Sequence, residues 1–192
     1  MTYDPESHHR RSIRLRDYDY TQPGAYFVTI ATHSHIHLFG AITNNEMHLN
    51  RYGQVVKLEW QKLPTPFQFI RIDEMIIMPN HFHAIIIILE NSRGTAGISK
   101  NNALDINRRA PTTVEKFGKP VAGSLSTIIR SFKSAITFRI NALRSTPGVP
   151  VWQRNYYEHI IRNEDELDQA RTYILDNPRR WSKDGENPNI SL

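Results

Sequence analysis

The chain has 192 residues, with 24 Lys and Arg against 19 Asp and Glu, and no cysteine. The lack of cysteine excludes disulfides, thiolate zinc sites and a cysteine nucleophile, and is typical of proteins of the reducing cytoplasm. No apolar run reaches the roughly 18 residues of a membrane span. The first residues are polar and charged, so we expect a cytoplasmic protein without a secretory signal.

The positive charge is concentrated in two segments. Residues 93–144 carry ten Lys or Arg and two acidic residues. A second cluster near the start contains Arg10, Arg11, Arg14 and Arg16. Basic segments beside an apolar core favour a polyanionic partner, most simply a nucleic acid. An ordinary solvated surface is the alternative interpretation.

The first half of the chain predicts mostly strands. Residues 1–19 have no apolar periodicity and are predicted to be a basic arm, followed by one domain over 20–181. Within it, β-branched and aromatic runs predict strands, and near-helical apolar spacing before Pro64 predicts a helix. The predicted elements are a strand over 25–32, a hairpin over 37–49, a helix over 52–63, and strands over 68–78 and 81–90 joined by a turn at Pro79-Asn80.

The second half predicts an insertion and two helices. Residues 91–123 are rich in Gly, Ser, Asn, Pro and basic residues, which is typical of a flexible insertion. Apolar residues at spacings of three and four then predict a long helix, with Ser124 as its N-cap and with Arg130 and Lys133 off its apolar stripe. The remaining predictions are a partly extended segment over 151–161, a last helix from N-cap Asn163 to Pro178, and a tail over 182–192.

Four residues could form a metal site with a nucleophile. His81 and His83 are separated by one residue in a predicted strand, so both imidazoles point to one face and can hold a divalent metal. Tyr173 and Asn177 are one turn apart on the last helix. A tyrosine hydroxyl is a nucleophile in phosphoryl transfer, and an amide oxygen is a ligand for hard cations. This set favours Mg²⁺ or Mn²⁺, although each residue alone could be structural.

Other residues offer competing interpretations. His33, His35 and His37 also alternate, as in a histidine-triad nucleotide hydrolase, but that family has an apolar residue where Ser34 stands, so we interpret them as an exposed strand end. Neither a phosphate-binding Gly-rich loop with Lys nor a Gly-x-Ser-x-Gly elbow occurs, which disfavours nucleotide and serine hydrolases. The competing candidates are Tyr156 and Tyr157 as nucleophiles and His159 as a ligand or base.

The chain resembles the REP-associated tyrosine transposases, which belong to the HUH single-strand DNA transferases. The resemblance is carried by residues 18–30, 78–83, 124–133, 152–162 and 173–178. It implies an α+β fold with a ferredoxin-like antiparallel sheet, flanked by helices, and the histidine pair on a central strand. It also implies Tyr173 as the nucleophile and His81, His83 and Asn177 as ligands of Mg²⁺ or Mn²⁺. The insertion at 91–123 is longer and more basic than the family leads us to expect.

The implied function is metal-dependent cleavage and transfer of single-stranded DNA at palindromic hairpins, through a 5′-phosphotyrosine intermediate. No nucleotide cofactor is expected, because one phosphodiester is exchanged for another. A monomer is favoured and a dimer is left open. Two alternatives are a hairpin-binding protein that does not cut and a zinc-dependent hydrolase of small phosphoesters. The predicted DNA contacts are Arg10, Arg11, Arg14, Arg16, Arg130 and Lys133.

Overall fold

A computed structural model describes residues 18–90 and 121–184. Arg10, Arg11, Arg14 and Arg16, most of the predicted insertion, and the predicted tail from residue 185 onward lie outside these residues. In chain order, the described strands and helices are β1 (Gly24–Ala31), β2 (Gly40–Thr43), β3 (Glu46–Leu49), α1 (Arg51–Lys62), β4 (Ile70–Ile77), β5 (His81–Ile88), α2 (Leu125–Leu143), β6 (Tyr157–Ile161) and α3 (Glu164–Arg180).

The main sheet has four strands in the order β4-β5-β1-β6, and every neighbouring pair is antiparallel. This confirms the predicted α+β class and places the histidine pair on a central strand, β5. Every residue of β5 is buried, which explains why its sequence is a continuous apolar run interrupted by the two histidines. Strands β2 and β3 form the predicted hairpin, which is a two-stranded sheet of its own.

The two faces of the sheet are covered by different helices. Phe82 and Ile86 of β5 belong to a core with residues of α1 and α2, including Trp60 and Phe132. Ile85 and Ile87 instead pack with residues of α3 such as Ile174. Because strand side chains alternate, His81 and His83 lie on the α3 face.

Helix α3 is fixed to the edge strand β4 by an ion pair with two hydrogen bonds. Arg171 donates from Nε and Nη2 to the two carboxylate oxygens of Asp73, each at 2.8 Å. Hydrogen bonding to Arg171 holds the pKa of Asp73 below its ordinary value. Paired bonds of this geometry fix orientation as well as distance. The contact therefore sets where the next residues of α3, including Tyr173, meet the sheet.

The predicted N-caps are confirmed, whereas two predicted boundaries are wrong. Ser124 and Asn163 accept hydrogen bonds from Thr127 N and Glu166 N. Helix α3 continues past the buried Pro178 to Arg180, because a proline two residues from the helix end removes one N–H hydrogen bond without interrupting a long stretch of helix after it. The segment His33–His35 is a 3₁₀ turn rather than a strand end, with positive φ at Ser34 and His35.

None of the helices in the two described ranges has the length and apolarity that crossing a membrane requires.

Candidate active site

Strand β5 brings the two histidines together with their orientation fixed. The imidazole centroids of His81 and His83 are 4.5 Å apart, and both side chains are buried. Nδ1 of His81 lies 2.9 Å from Asn80 Oδ1, and Nδ1 of His83 lies 2.8 Å from Thr29 Oγ1. Such second partners fix the ring orientation of metal-binding histidines. Each ring therefore turns its Nε2 away from these contacts.

The Asn80 contact also determines the tautomer of His81. Asn80 Nδ2 donates to the carbonyl of His35 at 3.2 Å, which identifies the other amide atom as the oxygen. An amide oxygen only accepts, so His81 carries its proton on Nδ1 and has a lone pair on Nε2. The backbone oxygen of Asn80 accepts from Thr32 N at 2.8 Å, which holds the Pro79-Asn80 turn in place.

The buried side-chain atoms without a hydrogen-bond partner among the described residues include three at this site: His81 Nε2, His83 Nε2 and Asn177 Oδ1. Buried polar atoms are nearly always hydrogen-bonded, so each such exception requires an explanation. Two imidazole nitrogens and an amide oxygen are ligands that a divalent transition metal accepts. These residues therefore fit the predicted metal. Burial lowers the pKa of His81, and Asn177 partly opposes this because its amide oxygen can accept a hydrogen bond only from the protonated ring.

Asp184 is a further acidic group at this site that the sequence analysis did not identify. Its Oδ2 lies 3.8 Å from His81 Nε2, and its side chain is 8% exposed. One ligand atom from each of His81, His83 and Asp184 lies within 4.8 Å of the others. The residue falls in the predicted tail, where no local pattern marks it. A 3₁₀ turn at Trp181–Lys183 follows α3 directly and brings the carboxylate back to the sheet.

The fourth predicted residue, Tyr173, packs directly against the histidine pair. Its ring meets that of His83 edge-on at a centroid distance of 5.3 Å and that of Phe27 at 5.9 Å. Phe27 in turn stacks on His83 at 5.4 Å. The tyrosine is 39% exposed, so its position combines contact with the buried site and access from solvent. All four predicted residues thus come together within one chain.

The competing candidates lie elsewhere. Tyr157 and His159 are on the edge strand β6, where β1 separates them from His83. Tyr156 packs with the core on the α1 and α2 side of the sheet. Of the three candidate tyrosines, Tyr173 is the one for which the structure records a ring contact with His83.

The predicted DNA contacts on α2 differ in their surroundings. Arg130 is exposed, whereas Lys133 is partly buried. The ammonium of Lys133 donates to the carbonyls of Gln153, Arg154 and Asn155 at 2.5, 3.2 and 3.3 Å. Burial lowers its pKa to about 8. Lys133 thus ties α2 to the segment before β6, and its charge is less available to a DNA backbone than that of Arg130.

Burial keeps both histidines neutral near pH 7. Burial lowers the pKa of His81 to about 4, although Asp184 and Asn177 partly oppose this. Burial, with a smaller effect of His81, lowers the pKa of His83 well below its ordinary value. Neutral imidazole is the form that binds metals, so no proton has to leave before a cation enters.

This burial predicts that the metal-free protein loses stability in mild acid. Between pH 6.5 and about 4 the unfolded chain protonates His81 while the folded chain does not. The free energy of unfolding is therefore expected to fall as the pH is lowered through this window, by on the order of 3 kcal/mol for His81 alone. Urea unfolding in EDTA at several pH values measures it. The difference between wild type and His81→Ala isolates this contribution, and parallel pH profiles of the two proteins would contradict it.

Comparison with known proteins identifies similar chains by sequence and by structure. An uncharacterized protein of Haemophilus influenzae is 42% identical over 182 residues, which are 95% of this chain and 95% of that protein. A REP-associated tyrosine transposase, solved bound to a REP hairpin, is 18% identical to this chain, with a TM-score of 0.54. The match covers 87% of this chain and 73% of the transposase chain. At this identity the likeness establishes a shared fold. No protein-family model matches the chain.

A second structure is that of a Deinococcus radiodurans protein that is provisionally described as a transposase. It is 13% identical, with a TM-score of 0.44, and the match covers 85% of this chain and 95% of that protein chain. We draw no conclusion from a likeness at this level.

Proposed function

We infer that this chain, which belongs to the same family as the Haemophilus influenzae protein and has the fold of a REP-associated tyrosine transposase, cuts and transfers single-stranded DNA. The proposed reaction is a metal-dependent transesterification with Tyr173 as the nucleophile. The proposed substrate is single-stranded DNA beside a palindromic hairpin, since the transposase of the same fold was solved with a REP hairpin.

The observation that carries this proposal is the contact between Tyr173 and a histidine pair whose Nε2 atoms have no hydrogen-bond partner among the described residues. The tyrosine ring touches His83, whose Nε2 has no hydrogen-bond partner among the described residues. A structural histidine pair would be expected to use both ring nitrogens, because leaving a buried nitrogen unpaired costs about 1–3 kcal/mol. Binding of a ligand by the two Nε2 atoms would offset this cost.

The residues that would hold the metal are His81, His83 and Asn177, with Asp184 as an acidic fourth donor. A divalent cation at this place would withdraw charge from a phosphodiester and neutralise charge that develops on its oxygens. The protein supplies the fixed orientation: Asn80 and Thr29 hold the imidazoles, and α3 presents the amide of Asn177.

In the proposed step, Tyr173 attacks the phosphorus atom. A bond forms between the tyrosine oxygen and phosphorus while the bond from phosphorus to the 3′ oxygen breaks. The tyrosine proton is released, and the leaving 3′ oxygen takes up a proton to give a free 3′-hydroxyl. The products are this hydroxyl and a 5′-phosphotyrosine, and a second 3′-hydroxyl can reverse the exchange. One phosphodiester replaces another, so the step requires no nucleotide cofactor.

Contacts with three strands of the sheet hold the position of Tyr173. Phe27 and His83 contact its ring on the sheet side, and Arg171, two residues earlier, is bonded to Asp73 of β4. Fixed placement of a nucleophile lowers a reaction barrier by reducing the entropy lost in reaching the transition state. Because nucleophile and histidines belong to one chain, this arrangement supports a site complete within a monomer.

Incubation of the protein with a labelled hairpin DNA and Mn²⁺ tests the proposed function. We expect a labelled species of protein mass that survives denaturation, and no such species in EDTA. Binding of the hairpin without any covalent product in Mn²⁺ or Mg²⁺ would instead support a hairpin-binding protein that does not cut.

Asp184→Asn is expected to weaken metal binding while leaving the fold intact. The substitution keeps the size of the side chain but removes the anionic oxygen 3.8 Å from His81 Nε2. We expect Mn²⁺ affinity to fall about tenfold, the lower end of what altered residues around metal sites cost. Titration calorimetry with Mn²⁺ measures this.

The matched control for Asp184→Asn is Asp176→Asn, which removes the same charge from an aspartate that pairs with Arg179 and Arg180. Equal affinity losses in both variants would mean that Asp184 acts through general charge rather than as a ligand.

A further inference from the structure

Strand β6 carries two partly exposed aromatic side chains on the face of the sheet that holds the metal site. Tyr157 is 49% exposed, and the side chain of His159 is 43% exposed. They are two residues apart in a strand, so they share one face. The antiparallel register pairs Tyr157 with Thr29 and His159 with Phe27.

Both of these β1 partners touch His83. Thr29 forms the hydrogen bond to His83 Nδ1, and Phe27 stacks on the ring of the same histidine. Tyr157 and His159 are therefore one strand further out than the groups that position a proposed metal ligand. Neighbouring strands lie about 4.8 Å apart, so β6 is about 10 Å from β5, within reach of a nucleotide that adjoins a phosphate bound there.

Exposure increases from the metal site toward β6. His83 is buried, Phe27, Thr29 and His159 are partly exposed, and Tyr157 is exposed. On the opposite side, α3 is bonded to β4 through Arg171 and Asp73. Trp181 and Asp184 line the end of the site at His81. A strand of DNA that reaches the site thus has its open approach across β1 and β6.

We propose that Tyr157, assisted by His159, is a stacking platform for an unpaired base of the single-stranded DNA next to the scissile phosphate. This inference rests on the proposed function. Aromatic side chains beside cationic groups are the recurring means of holding single-stranded nucleic acid, because every base has a face on which to stack.

The surroundings of β6 suit this ligand. His159 Nε2 lies 3.4 Å from a carboxylate oxygen of Glu166, which also accepts from the backbone N–H of Arg162. These contacts hold the ring in place. The exposed residues Arg154 and Arg162 lie before and after the strand in sequence and offer positive charge to the phosphates at its two ends.

Fluorescence of a base analogue tests the platform. The probe is a hairpin DNA with a single-stranded oligothymidine extension that carries 2-aminopurine at one position at a time, bound in Mn²⁺ to a Tyr173→Phe protein that cannot react. We expect quenching at one or two adjacent positions. Adding Tyr157→Ala should restore the fluorescence and weaken binding about fivefold to a hundredfold. Tyr157→Phe and Tyr157→Trp should keep both quenching and affinity, because they keep an aromatic face.

The matched control is Phe138→Ala, which removes a strongly exposed ring from α2 on the other side of the sheet and should change neither reading. Melting temperatures establish that each variant is folded.

Unchanged quenching and affinity in folded Tyr157→Ala overturn the platform while leaving the proposed function standing. Loss of covalent products in Tyr157→Phe with Tyr173 intact also overturns it, since the hydroxyl would then be the essential group. Absence of binding of this hairpin probe by the Tyr173→Phe parent overturns the proposed function and the platform together.

Discussion

Tyr173→Phe is expected to abolish covalent attachment of DNA while leaving hairpin binding nearly unchanged. The substitution removes one oxygen but keeps the ring that packs against His83 and Phe27. Loss of a nucleophile typically lowers turnover by several orders of magnitude, so we expect at least a thousandfold decrease in adduct formation. Denaturing gels of labelled DNA measure the adduct, and fluorescence anisotropy measures binding.

Tyr156→Phe and Tyr157→Phe are the matched controls for this experiment, because they remove the same hydroxyl from the two competing tyrosines. Both are expected to form adducts, since Tyr156 packs with the core on the α1 and α2 side of the sheet and Tyr157 lies on β6, which β1 separates from β5. Adducts that persist in Tyr173→Phe and disappear in one of these variants would contradict the assignment of the nucleophile.

His81→Ala and His83→Ala are each expected to remove metal binding and, with it, DNA cleavage. Both residues present a buried Nε2 without a hydrogen-bond partner among the described residues. We expect Mn²⁺ affinity to fall by more than about a hundredfold, because altered outer partners of metal ligands already cost about tenfold to a hundredfold. Calorimetry and the electron paramagnetic resonance of bound Mn²⁺ measure this without relying on activity.

A graded series makes the metal experiment more specific. Asn80→Ala and Thr29→Val remove the partners of the two Nδ1 atoms but keep both imidazoles, so they are expected to weaken Mn²⁺ binding less than loss of the imidazoles does. His48→Ala, which removes an exposed imidazole from β3, should have no effect. Equal Mn²⁺ affinity in wild type and in both imidazole variants would contradict the metal site.

The parts of the fold and site that follow local periodicity could be predicted from the sequence. Alternation along a strand places His81 and His83 on one face, and the helical repeat places Tyr173 and Asn177 one turn apart. The caps Ser124 and Asn163 follow from the chemistry of a single side chain that accepts from nearby N–H groups. The resemblance to a family then joined these local patterns into one site, and the structure brings the four residues together.

The contacts that the sequence could not reveal depend on register and on where elements end. Thr29 reaches His83 because β1 pairs with β5 in one particular register, which no local pattern specifies. Asp184 reaches His81 because α3 runs beyond Pro178 into a 3₁₀ turn, whereas the proline suggested an earlier end. Lys133 looked like a surface cation, but it binds three carbonyls of a segment about twenty residues downstream.

Mass spectrometry of the protein–DNA adduct tests the central claim most directly. The adduct formed with hairpin DNA and Mn²⁺ is digested with protease and nuclease, and the peptide that carries the residual nucleotide is sequenced. We predict a nucleotide linked through its 5′ phosphate to Tyr173. A nucleotide on Tyr156 or Tyr157, or the absence of any modified peptide from protein that binds both Mn²⁺ and the hairpin, would contradict the claim.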